Sequence, residues 1–134
     1  MKRLLDTNTC IQILNRRIPQ LREQMRQSAG DEIVRCDIVK AELFYGVEKC
    51  ARGERIRATL EEFLSWFVSL PFDGAAARVY GRIKTELGRA GRLIGPNDLM
   101  IASIALANDL TLVTHNTSEF GRGNGLLMED WQTP

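Results

Sequence analysis

The chain has 134 residues, 44% of them hydrophobic, with 18 Lys and Arg against 17 Asp and Glu for a formal charge of +1; this suits one domain with a single core and excludes a uniformly basic nucleic-acid binder. No apolar run approaches the roughly 18 residues of a membrane helix, and the two leucines after Lys2-Arg3 are too few for a secretory leader. Three cysteines (Cys10, Cys36, Cys50) without a CxxC pair exclude a zinc framework and read as reduced thiols, so a cytoplasmic protein is expected.

Lys2 to Leu5 reads as a brief strand that stops at Asp6, and Thr7-Asn8-Thr9-Cys10-Ile11 opens a helix running to about Asn15. A second short helix follows Pro19, which suits a first-turn position. Glu32 to Cys36 is the second strand, entered through a Gly30-Asp31 turn. Ile38 to Lys49 carries apolar residues at helical spacing. Gly53-Glu54 opens another helix, Ile56 to Val68, and Ser69 to Phe72 is a short extended piece. Ala75 to Ala90 is helical, with Val79, Ile83 and Leu87 on one face. After a loop from Gly91 to Pro96, Asp98 to Asn108 forms an apolar helix. Leu110 to Thr114 is the clearest strand, Gly121 to Gly125 reads as a surface loop, and a last short strand lies near Leu126 to Met128. Strands alternating with helices predict an α/β fold whose central sheet is mostly parallel, with helices on both faces. Without repeats or linkers, residues 1–134 read as a single domain.

Charge is unevenly placed along this frame. From Arg78 to Arg92 there are five basic residues (Arg78, Arg82, Lys84, Arg89, Arg92) against Glu86, a local excess of about +4. Arg78, Arg82 and Arg89 fall on one helical face, away from Val79, Ile83 and Leu87. They form a candidate rail for phosphates, since arginine contacts position a nucleic acid without reading its sequence.

Four acids stand where packing alone would not place them. Asp6 ends the first strand, the edge at which open α/β sheets bind ligands. It could cap the following helix or, beside Thr7 and Asn8, hold a hard cation. Glu42 interrupts the apolar segment from Ile38 to Phe44; it needs an ion pair, with Lys40, Lys49 or an arginine, or a metal. Asp98 follows Gly95-Pro96-Asn97 and could serve as a helix cap or as a first-turn acid favoured by the helix dipole. Glu119 follows the strongest strand and repeats the Asp6 arrangement, though it could equally be a solvated loop acid. His115, the only histidine, reads as a surface residue.

Taken together, Asp6-Thr7-Asn8, Ala41-Glu42-Leu43, Pro96-Asn97-Asp98 running into Ile101-Ala102, and Val113-Thr114-His115-Asn116 with Glu119-Phe120 resemble the PIN domain. More closely, the chain is similar to the VapC-type toxins of type II toxin–antitoxin systems, over nearly its whole length. The resemblance implies a PIN-like α/β/α sandwich and a metal-dependent endoribonuclease that cleaves RNA, tRNA foremost, and so inhibits translation. It assigns Asp6, Glu42 and Asp98 to the catalytic acidic core, with Asp6 and Asp98 as metal ligands. Glu119 takes a fourth acidic position, and Thr7, Asn8, Thr114 and Asn116 match polar positions around the pocket. The implied cofactor is Mg²⁺, with Mn²⁺ as an equivalent; the implied partners are a cognate VapB-type antitoxin, an RNA substrate and a second copy in a homodimer.

Asp37 stands where many relatives carry Ser or Thr, and Asn116 and Glu119 where many carry Asp. Apolar candidates for an antitoxin groove are Phe44, Tyr45, Phe63, Trp66 and Phe67, which could equally be core. A catalytically silent PIN-like binding module is the alternative, and loss of the acids would favour it. A dehalogenase-type phosphatase wants a second Asp two residues after the first, where this chain has Asn8.

Overall fold

The computed structural model describes residues 2–28, 32–122 and 125–133. In chain order its elements are β1 (Arg3–Leu5), α1 (Thr7–Asn15), α2 (Pro19–Gln27), β2 (Ile33–Cys36), α3 (Asp37–Glu48), α4 (Gly53–Ser65), β3 (Ser69–Leu70), α5 (Gly74–Arg89), α6 (Pro96–Ala107), β4 (Thr111–Val113), α7 (Thr117–Phe120) and β5 (Met128–Glu129). The five strands form one sheet in the order β3-β2-β1-β4-β5. All four pairings are parallel, with Leu4 opposite Val34 on one side and Leu112 on the other.

Leu4, Leu5, Leu112 and Val113 are all at most 1% exposed although successive side chains point to opposite faces. Both faces of the sheet are therefore covered, as a parallel sheet with helical crossovers requires. A second, smaller core of Ile83, Leu87, Ile94 and Leu99 joins α5 to α6.

The strand order fixes where a ligand can sit. β1, β2 and β3 step outward in one direction; the chain then returns to place β4 against the other side of β1. The crevice outside the carboxyl ends of β1 and β4 is thus the topological switch point. The Asp6 N–H donates to the Val113 carbonyl at 3.1 Å, so the two strand ends open at the same level.

Element boundaries differ from the sequence reading in ways with physical causes. The α5 helix starts at Gly74 because Asp73 caps it, accepting from the Ala76 N–H at 3.0 Å. The α6 helix starts at Pro96, with Gly95 as its N-cap, so Asp98 does not cap the helix and stands instead as its first-turn acid, the third helical residue. The last strand is Met128–Glu129, since it is set by pairing with Leu112 and Val113. A four-residue helix, α7, replaces the loop expected around Glu119. The Gly30-Asp31 turn lies outside the described residues, as do Gly123 and Asn124 of the glycine loop. Among the described residues, no helix is long and apolar enough to cross a membrane.

Candidate active site

Asp6 is only 4% exposed. One carboxylate oxygen accepts from the Thr9 N–H at 2.8 Å and caps α1. The cap uses one oxygen, which leaves the other available, so the capping and ligand readings are compatible. Thr9 is itself buried and donates its hydroxyl to the Val113 carbonyl at 3.3 Å, tying the first turn of α1 to β4.

Glu42 projects from α3 and is half-buried. Its Oε1 accepts from the Thr7 hydroxyl at 2.5 Å and its Oε2 from the Asn97 amide at 3.4 Å. The ion pair that sequence alone left open for Glu42 is not among those formed by the described residues. Two neutral donors hold it instead, one from the β1–α1 junction and one from the start of α6.

Glu119, on α7, accepts from the Asn116 amide at 2.8 Å and from the Gly95 N–H at 3.2 Å. Those two bonds hold its carboxyl below the usual range. Thr114 is fully buried, and its hydroxyl accepts from the Asn116 N–H at 3.0 Å, shaping the turn that presents Asn116. Asn8 is exposed beside Asp6.

Asp98 brings these parts into one electrostatic unit. Its carboxyl is pushed up to about 6, first by partial burial and then by the negative charges of Glu119, Glu42 and Asp6. The structure therefore brings together all four acids singled out in the sequence, from the β1–α1 junction, α3, α6 and α7. A carboxylate cluster of this kind is relieved by a cation, and its oxygen-only donor set suits Mg²⁺ or Mn²⁺ rather than zinc. Among the described residues no group of three or more His, Cys, Asp or Glu side chains stands close enough together to hold a metal ion. Cys10 and Cys36 are buried and burial pushes both thiols up, which leaves them inert.

Other assignments fall around this centre. Arg78, Arg82 and Arg89 are exposed on α5, with Arg82 3.8 Å from Glu86. Asp37 starts α3 and accepts from the Ser69 hydroxyl at 2.5 Å, so it joins β3 rather than the acids. The aromatic candidates for a groove divide: Phe63 and Trp66 line a cavity of about 720 Å³ beside α1, α2 and α4, together with Ile13 and Leu14. Phe63 is core at 4% exposure, and Phe44 and Phe67 are half-buried against the core. The groove that reaches Glu42 has a volume of about 560 Å³ and runs between α1, α3 and α4, lined by Ile11, Leu14, Leu43, Val47, Ile56 and Leu60. Tyr45 and Trp66 are exposed but do not line it. Aliphatic residues on α1 carried no signal for this role, because their helical spacing is the same as that of core positions.

Comparison with known proteins agrees with this geometry. The PIN domain family matches residues 3–124. The chain is 41% identical over 131 residues, 98% of each chain, to the tRNA(fMet)-specific endonuclease VapC of Shigella flexneri. It is 40% identical, again over 98% of each chain, to ribonuclease VapC2 of Haemophilus influenzae. Among solved structures, the VapBC2 complex of Rickettsia felis bound to a promoter DNA fragment contains a chain that superposes with a TM-score of 0.92, at 38% identity, covering 98% of this chain and 99% of that one. The VapBC complex of Salmonella typhimurium gives the same TM-score at 39% identity, over 98% of each chain. The chain belongs to the PIN domain family, among the VapC ribonucleases of toxin–antitoxin modules, which are metal-dependent endonucleases.

Proposed function

We propose that this chain is the toxin of a VapBC-type module and cleaves a transfer RNA, initiator tRNA foremost, as a single catalytic domain. The observation that carries the reading is the convergence of Asp6, Glu42, Asp98 and Glu119 at the switch point, registered in the raised Asp98 carboxyl. Similarity to a tRNA(fMet)-specific endonuclease supports the choice of RNA.

Asp6 and Asp98 would hold Mg²⁺, with Glu42 and Glu119 reaching it directly or through water. When bound, the cation neutralises the cluster, acidifies a water molecule and offsets charge on the phosphodiester oxygens. The chain's own side chains supply orientation. Thr7 and Asn97 fix both oxygens of Glu42, which leaves that carboxylate able to align an attacking water with the scissile phosphate. Asn116 and the Gly95 N–H hold Glu119 in its ionised form. The arginines of α5 carry the RNA backbone at a distance from the acids.

The partner is a VapB-type antitoxin whose apolar segment fills the groove between α1, α3 and α4, with a basic side chain reaching Glu42 at its end. A homodimer is the expected assembly on family grounds. Mapping RNA ends in cells after induction, beside an Asp6→Asn control, tests the reading. New ends at one position in initiator tRNA, absent from the control, are expected; identical ends in both strains contradict it.

A further inference from the structure

One turn of α3 past Glu42 stands an aromatic ring that packing within this chain does not call for. Tyr45 is 65% exposed, and among the described residues no other aromatic ring packs on it. The Lys49 ammonium lies over the ring, 4.4 Å from its centre. Lys49 is one of the two lysines that the sequence offered as an ion-pair partner for Glu42, and it backs Tyr45 instead. The ammonium takes one face of the ring, and the exposure of the residue leaves the rest of its surface to solvent.

Helix geometry ties this ring to the acid pocket. Residues three apart on a helix are surface neighbours, with Cβ atoms about 5–6 Å apart, and helical side chains lean toward the N-terminus. Tyr45 is thus set toward the turn that carries Glu42, whose carboxylate is bound to Thr7 and Asn97. Leu43, Gly46, Val47 and Cys50 face the groove between α1, α3 and α4, whereas Tyr45 and Lys49 do not line it. Glu42 therefore stands on a boundary, with the aliphatic groove on one flank and the Tyr45 ring on the other. Away from a bound cation, four carboxylates repel a phosphate and attract to themselves any free cationic side chain. A neutral ring escapes both difficulties, because its face takes a base by stacking and accepts any base. Only an unpaired base has a face to offer, as in the loops and single strands that RNA-binding aromatics use.

We infer that Tyr45 is a stacking platform for an unpaired RNA base adjoining the cleaved phosphodiester. The inference rests on the ribonuclease reading above. It divides the two flanks of Glu42 between two ligands, the antitoxin in the groove and the substrate base on the ring.

Fluorescence anisotropy of a labelled initiator tRNA transcript tests it, with Tyr45→Ala and Tyr45→Phe each placed in an Asp6→Asn background so that binding is read without turnover. Tyr45→Ala should weaken binding about five- to hundredfold, the range of one base–aromatic stack, and Tyr45→Phe, which keeps the ring, should restore it. The matching deletion is made in the RNA, by an abasic residue placed in turn on each side of the bond that the mapped ends identify. At one of the two positions the abasic transcript should bind the Tyr45 protein as weakly as the intact transcript binds Tyr45→Ala, and the two deletions together should cost no more than either. Unchanged binding by Tyr45→Ala, an equal loss in Tyr45→Phe, or additive losses with both abasic transcripts would overturn the inference. Wild-type protein that shows no cleavage dependent on both Mg²⁺ and Asp6 would instead overturn the ribonuclease reading, and the inference with it.

Discussion

Asp98 is half-buried among three other carboxylates and is pushed up to about 6, so ionising it at neutral pH works against the metal-free fold. The folded chain holds this proton more tightly than the unfolded chain, whose aspartates titrate near 4. Its contribution to stability is thus fully present below pH 4 and is lost as pH rises through about 6. Two pKa units correspond to roughly 3 kcal/mol, and solvent screening at a half-open position reduces that to about 1 kcal/mol. Asp98→Asn should therefore be about 1 kcal/mol more stable than wild type in chelator at pH 7.5, and no more stable at pH 4. Denaturant titrations at the two pH values check this; equal stability at pH 7.5 contradicts the electrostatic account. Adding Mg²⁺ should raise the Tm of the wild type and leave the variant nearly unmoved. At this scale the sequence was readable where an acid broke an apolar segment, as Asp6 and Glu42 do. The bonds that aim the acids were not readable: Asn97 reaches Glu42 across 55 positions and Gly95 reaches Glu119 across 24. Nor was the His115–Asp130 pair, whose partners meet only because β4 and β5 are adjacent.

The α3, α4 and α5 helices followed from periodicity, since each buries a face, whereas α6 followed from its apolar run, which is buried almost all round from Leu99 to Ala105. The last strand was expected near its place but not with its bounds, and four-residue α7 was not expected, because so short a segment has no period and is defined by its neighbours. The Asp73 cap went unread for the same reason, although its cost is testable. Asp73→Ala should destabilise the fold by about 1 kcal/mol, measured by urea denaturation, with no change in Mg²⁺ affinity. The outer face of α5 makes a separate prediction. Replacing Arg78, Arg82 and Arg89 with Gln should weaken RNA binding by the Asp6→Asn protein and flatten its salt dependence, since up to about three phosphate contacts are lost. Fluorescence anisotropy at two salt concentrations reads both effects; an unchanged slope would remove α5 from the RNA path.

Strand order gathers acids from four distant segments, because the chain reverses its direction across the sheet between β1 and β4. The same geometry leaves a groove beside Glu42, and Gly46 on α3 forms part of its wall with nothing within 4 Å of where a Cβ would stand. A glycine inside a helix costs about 1 kcal/mol relative to alanine, and packing within this chain does not require it. Gly46→Ala should therefore stabilise the free toxin by up to about 1 kcal/mol, whereas Gly46→Leu should obstruct the groove and weaken antitoxin capture, as calorimetry with the cognate VapB would show. In the proposed function the four-acid pocket is the metal-dependent ribonuclease centre. Cleavage of initiator tRNA transcript by highly purified wild-type and Asp6→Asn protein, across a Mg²⁺ titration, addresses that most directly. Activity that rises with Mg²⁺ in the wild type and is absent from an Asp6→Asn protein of native circular dichroism is the expected result. Undiminished Mg²⁺-dependent cleavage by the variant would contradict it.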